Sequence, residues 1–261
     1  MTDIQTSAPQ IVTQDRDGVR TIILNRPDSA NAAEPTLMRA LCEAIDAATA
    51  DPAVGAIVLT GEGKHFLAGG NLDWLVEVVA NDAASDATAE IYRWFQGTTR
   101  RLIACPKPVV AAINGAAITV GCEIALACDM RIVEKRGFLQ QSWLDIGLIA
   151  PLGGAKLLPQ LVGMAKAKEI LLDCRKIGAD EALEIGLANE VAEGVEELRE
   201  RAHQRARTMA SRPAEPFARM KALLHAGISA SLDDIWADGV KTQGNLLGGA
   251  DFRAAVRARR P

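Results

Sequence analysis

Short apolar runs alternate with helical stretches along this chain, and that alternation limits the folds it can adopt. "IVTQ", "DRDG" and "VRTIILN" read as two strands joined by a turn, with Asp17-Gly18 supplying tight hairpin residues. "AIVLTG" (56–61), "KPVVAAING" (107–115) and "DMRIVE" (129–134) are further β-runs. Between them lie helical segments. The first is expected from about Glu34 to Ala50, where Leu37, Leu41 and Ile45 share a helical face and Pro35 suits the first turn. "EIYRWFQGTTRRLIAC" (90–105) is a second candidate, ended by Pro106, while "ANDAASDATAE" (80–90) reads as mobile or weakly helical. Strands separated by helices give the α/β class. From Leu157 onward β-runs almost vanish and helices take over. The expected division is a core over 1–200 and a helical C-terminal region over 201–261, with no clear flexible linker and no internal repeat.

Hydrophobic residues make up 49% of the chain and aromatic residues only 4%, which favours close helix packing over an aromatic-rich β-sandwich. A formal net charge of -4 argues against a general nucleic-acid binder but leaves room for a local anion site. Arg253, Arg257, Arg259 and Arg260 fit either a solvated tail or such a site. The five cysteines show no C-x-x-C pair or zinc spacing; Cys122 and Cys128 lie in apolar sequence, as small hydrophobes do. "MTDIQTSAPQ" lacks the charged and apolar regions of a leader, and no apolar run reaches the length of a membrane span. A soluble, cytoplasmic protein with no membrane or nucleic-acid partner is expected. No H-E-x-x-H or clustered His/Asp/Glu suggests a metal, and no G-x-S-x-G elbow, G-x-G-x-x-G after a first strand, or Walker A is present.

Three stretches hold candidate chemistry. In "HFLAGGNL" (65–72) a Gly-Gly pair meets a helix start; it is either an ordinary tight turn or a close backbone approach to a ligand. In "NGAAITVGCEIALACD" (114–129) Val120 and Gly121 lie at a helix N-terminus, where free N–H groups favour an anion. Glu123 sits there among apolar residues. It is either a helix-capping carboxylate or a buried group that is neutralised, partnered or used. In "LQQSWLDIGLIAPLGG" (139–154) Trp143 is either core or a pocket wall.

Five segments, in order across almost the whole chain, together resemble the enoyl-CoA hydratase/isomerase (crotonase) family. They are "VRTIILNRPDSANAAEPTLMRAL", "AIVLTGEGKHFLAGGNL", "KPVVAAINGAAITVGCEIALACDMRI", "IGLIAPLGGAKLLPQLVGMAKAKEILL" and "ADEALEIGLANEV". The resemblance implies an α/β crotonase-like spiral of ββα units with a helical trimerisation region, assembled as a trimer or a dimer of trimers. It implies an acyl-CoA substrate and no separate cofactor, coenzyme A being part of the substrate. The thioester oxygen is expected between two backbone N–H groups, here those of Ala68 and Val120. Such donors stabilise an enolate by about 3 kcal/mol each. Glu123 falls on the first of the two carboxylates that hydratases use for proton transfer. Ser29 and Ala30 fall on the loop that meets the adenine end, and Leu67 and Gly69 lie beside the first donor.

The sequence also departs from the family pattern. Trp143 stands where the second carboxylate is expected. If the segment is extended, Asp145 shares a side with Trp143 and can compensate. Val120 replaces a glycine and narrows the acyl pocket, and Asn71 replaces an aspartate with an effect on turn geometry. The dehalogenase branch carries a tryptophan at this place, but its nucleophilic aspartate is Pro151 here. Trp143 suits a broad, flat acyl group. Three readings remain open: enolate chemistry with Glu123 as the one acid/base (hydration, isomerisation or retro-aldol cleavage), a catalytically weak acyl-CoA binder, and C–C hydrolysis or decarboxylation.

Overall fold

The computed structural model describes residues 8–258, with only the backbone of Ala84 and Tyr92. Ile11–Arg16 (β1) and Val19–Leu24 (β2) pair antiparallel about Asp17 and Gly18, which take the positive φ values of 50° and 75° that the hairpin turn requires. Three strand pairs follow: Ala56–Gly61 with His65–Ala68 (β3, β4), Val109–Ile113 with Ala116–Ile118 (β5, β6), and Met130–Glu134 with Phe138–Gln140 (β7, β8). In each pair the first strand joins a six-stranded sheet and the second a four-stranded sheet. Lys176–Gly178 (β9) and Glu190–Ala192 (β10) complete the orders β1-β2-β3-β5-β7-β10 and β4-β6-β8-β9. These last two strands lie in the stretch after Leu157 where β-runs were expected almost to vanish, and three residues are too few to show an alternating pattern.

Helices close each turn. Pro35–Ala50 (α1) follows the hairpin, and Leu72–Ala80 (α2), Ala84–Glu90 (α3) and Gln96–Ala104 (α4) follow β4. Val120–Ala127 (α5) follows β6 and Gly154–Leu172 (α6) follows β8. The result is the expected spiral of ββα units. Residues 84–90 are helical, and the stretch expected as one helix over 90–105 starts with a π turn at Ile91–Phe95.

The central strands are buried on both faces, so they read as continuous apolar runs. In β3, Ile57 and Leu59 face the main core, while Ala56 and Val58 face a second layer with Val110 and Ala112 of β5. That layer is covered by Val195–Ala210 (α8), which follows the short helix Ala179–Glu184 (α7) and contributes Leu198, Ala202 and Ala206. The division expected at residue 200 therefore cuts through a core helix, and the core continues to Ala210. Beyond it lie Ala214–Ala226 (α9), Leu232–Leu247 (α10) and Ala250–Arg257 (α11). Arg259 and Arg260 of the arginine-rich tail, and the first seven residues, lie outside the described residues. Among those described, no helix is long and apolar enough to cross a membrane.

Candidate active site

Glu123 occupies the first turn of α5, every residue of which is buried. Two contacts fix that helix. At its N-terminal end a Cβ on Gly121 would lie 2.2 Å from the Leu67 carbonyl oxygen, so only glycine lets α5 approach β4 this closely. At its other end the buried Arg131 donates to the carbonyls of Ala125 and Cys128 at 3.3 and 2.9 Å. The Glu123 side chain is fully buried. Its carboxylate accepts the N–H of Gly154 at 2.5 Å and that of Leu152 at 3.3 Å, and so sits at the start of α6. Burial disfavours the charged form, while these donors and, more weakly, the indole N–H of Trp143 favour it. Burial prevails and holds the carboxyl at about 7. The Trp143 indole nitrogen makes no hydrogen bond of ordinary geometry and is a buried donor without a partner.

Trp143 and Leu152 form part of the wall of a cleft of about 330 Å³. Its other walls come from Ala68–Gly70, from Ile118–Val120, and from Trp74 and Phe95, whose rings stack at 5.8 Å. Two buried asparagines hold the β3–β4 turn beside it: Asn31 donates to Glu62 and His65 carbonyls, and Asn114 donates to Gly63 and accepts from Gly61. Asn71 caps α2 by accepting from Asp73 N–H at 2.9 Å, a turn role for this residue.

The backbone donors differ from expectation in one place. The N–H of Ala68 already donates to the Ala30 carbonyl at 3.1 Å, so it is not free for a ligand. The neighbouring Ala33 N–H and Asn71 N–H complete a bridge between the two segments through Gly69 and Ala33 carbonyls. Gly70 N–H takes no part in it and has no partner among the described residues, and Gly70 lines the cleft. Val120 is the first residue of α5, and its N–H is one of the orphan donors of that helix start.

Other expected residues divide plainly. Gly69 and Trp143 line the cleft. Leu67 is sealed in the core and Asp145 is exposed, and neither reaches the cleft wall. Leu144–Ile146 forms a 3-10 turn rather than an extended segment, so residues two apart point in different directions and Asp145 does not share Trp143's side. Ser29 donates to the Arg26 carbonyl at 3.2 Å, and Ala30 takes a left-handed conformation that ends the 3-10 turn. Gly154 and Leu152, which hold the Glu123 carboxylate, were not singled out from the sequence, whereas Gly70 belongs to the Gly-Gly pair noted as a possible close backbone approach. The "PLGG" turn was the only local hint, since its partner Glu123 lies 31 residues away.

Comparison with known proteins supplies the wider context. The sequence profile of the enoyl-CoA hydratase/isomerase family matches residues 14–258. The chain belongs to this family. A crotonyl-CoA hydratase of Syntrophomonas wolfei is 35% identical over 73% of this chain and 72% of its own. A 4-chlorobenzoyl coenzyme A dehalogenase of Arthrobacter is 34% identical over 85% of this chain and 80% of its own. The solved structure of an enoyl-CoA hydratase from Bacillus anthracis superposes with a TM-score of 0.87 at 28% identity, over 96% of this chain and 95% of that one. The crotonase-family spiral and an enzyme class that acts on CoA thioesters are thereby established, and Glu123 is read in that setting.

Proposed function

We propose that this protein is an enoyl-CoA isomerase-type enzyme that holds an acyl-CoA thioester in the cleft and moves its proton with Glu123. The observation that carries this reading is the buried Glu123 carboxyl at about 7, set directly behind a cleft with unengaged backbone N–H groups. A carboxyl titrating near neutrality both accepts and returns a proton. The Val120 and Gly70 N–H groups serve the thioester oxygen, Gly70 replacing Ala68. Loss of a proton from the acyl chain leaves an enolate on that oxygen, and its return at the other allylic carbon shifts the double bond. Only one acid/base is needed. Hydration asks for a second group to manage water, and Trp143 and the exposed Asp145 do not supply it.

A panel of 2-enoyl-CoA and 3-enoyl-CoA esters, aliphatic to aryl, separated by chromatography and mass after incubation with wild type and Glu123→Gln, tests this. Interconversion without mass change, lost in the variant, is expected. A gain of one water by wild type sinks the isomerase reading in favour of hydration.

The complete burial of Glu123 favours a second reading, an acyl-CoA binder with little turnover. It predicts binding of the esters with no Glu123-dependent product. In either reading the helices beyond Ala210 serve assembly. Leu232, Trp236 and Val240 form an exposed stripe on α10 at helical spacing, which further copies of the chain would cover in a homotrimer or dimer of trimers. Five buried free cysteines suit a cytoplasmic setting.

A further inference from the structure

Thr119 sits at the junction of β6 and α5 in a conformation that L residues avoid, φ 45° and ψ -103°. A β-branched residue at positive φ is a genuine outlier, and such strain collects at functional sites. Its position is the N-cap of α5, where a threonine hydroxyl ordinarily accepts a backbone N–H from the first turn. Here it makes no capping bond. Its carbonyl, not its hydroxyl, takes the Glu123 N–H, at 2.9 Å. The residue is only 5% exposed, it lines the acyl cleft, and its hydroxyl has no partner among the described residues.

The hydroxyl lies in the gap between the two segments that carry the candidate donors. A Cβ on Gly69 would come within 3.0 Å of Thr119 Oγ1, so the missing side chain of Gly69 is what makes room for it. Gly69 precedes Gly70 in the chain, and Thr119 precedes Val120. With no protein partner and a place on the cleft wall, this hydroxyl can meet a ligand, and the ligand atom nearest to it is the oxygen that those N–H groups would hold.

We propose that the Thr119 hydroxyl is a third hydrogen-bond donor to the thioester oxygen. The inference rests on the proposed oxyanion hole, not on which reaction follows. The side-chain donor adds polarisation of the carbonyl, and the strained backbone is kept because it aims Oγ1 across Gly69 instead of back onto α5.

Isotope-edited infrared spectroscopy of bound [1-13C]butyryl-CoA reads carbonyl polarisation directly, with no turnover required. Wild type is expected to shift the carbonyl stretch to lower frequency, Thr119→Val to lose part of that shift, and Thr119→Ser to recover most of the loss. Thr119→Gly is expected to lose the same part while unfolding at an equal or higher temperature, since glycine accepts the positive φ. Deuterium exchange of the butyryl α-protons in D2O is followed in the same samples. It is expected to fall about tenfold or more in Thr119→Val. Equal carbonyl shifts in wild type and Thr119→Val, or no shift in wild type, overturn the third donor. Normal shifts with no exchange that depends on Glu123 overturn the acid/base reading and leave the third donor standing.

Discussion

Gly154 donates its N–H to Glu123 Oε1 at 2.5 Å, and a Cβ on Gly154 would lie the same 2.5 Å from that oxygen. The carboxyl and the start of α6 are thus packed with no room for a methyl group. Gly154→Ala must push the carboxylate off its backbone donor or shift α6. Overpacking of this kind costs about 1–3 kcal/mol. The variant is expected to lose at least about tenfold in Glu123-dependent proton exchange while remaining folded. Exchange within twofold of wild type, with unfolding unchanged, would show that the carboxyl has freedom this packing denies.

The raised Glu123 ionisation has a consequence for stability. Burial holds the folded carboxyl at about 7, against about 4.3 for an unfolded glutamate. Between those values the unfolded chain is ionised and the folded chain is not. Folding takes up a proton there, so stability falls as pH rises through the window. The full effect is about 4 kcal/mol, reached above roughly pH 8. Glu123→Gln has no such ionisation. Its stability relative to wild type, from urea unfolding, is expected to climb by about that amount between pH 4 and pH 8. A flat difference would mean the carboxyl titrates normally. Activity that uses Glu123 as base runs the other way, rising with pH around 7.

Trp143 acts on the Glu123 carboxyl, and the family resemblance implies a second carboxylate at its place. Trp143→Phe keeps an aromatic wall and removes the indole N–H, whose effect is to lower the Glu123 ionisation. A midpoint moved upward is expected, read from the pH dependence of exchange. Trp143→Glu sets two carboxyls side by side, and like charges at close range split into two coupled ionisations. That variant is expected to add water to a 2-enoyl-CoA, where the proposed reading has wild type isomerise it. Its failure to do so, with the fold intact, would place the limit on hydration elsewhere than in the missing carboxylate.

The fold was legible because central strands buried on both faces leave unbroken runs such as "AIVLTG" and "VVAAI", while α1 shows a helical stripe. β9 and β10 were not, since three residues carry no period. Glu123 stood out as a charge in apolar sequence, and its burial is the reason. Asp145 misled because facing directions depend on local conformation, and the 3-10 turn at Leu144–Ile146 reverses the extended-chain expectation. Ala68 misled for a different reason. A residue's place beside a glycine turn does not say whether its N–H is free, and here Ala30, from a distant loop, takes it.

The same long-range dependence fixes the C-terminal helices. Lys221 of α9 is 6% exposed and donates to Asp129 Oδ2 at 2.8 Å and to the carbonyl of Leu102 at 3.1 Å, near the end of α4. Asp129 Oδ2 also accepts the Val109 N–H at 2.8 Å, so one carboxylate joins β5 to α9. Removing either charge alone strands the other in the interior, at a cost of about 3–5 kcal/mol. Asp129→Asn leaves the ammonium uncompensated, and Lys221→Met leaves the carboxylate with its backbone donor alone. Lys221→Met is therefore expected to be the milder change, and the double variant milder than the sum of the two. Unfolding in urea of the four proteins gives the coupling directly. Additive losses would show that α9 is held to the core by its apolar contacts rather than by this pair.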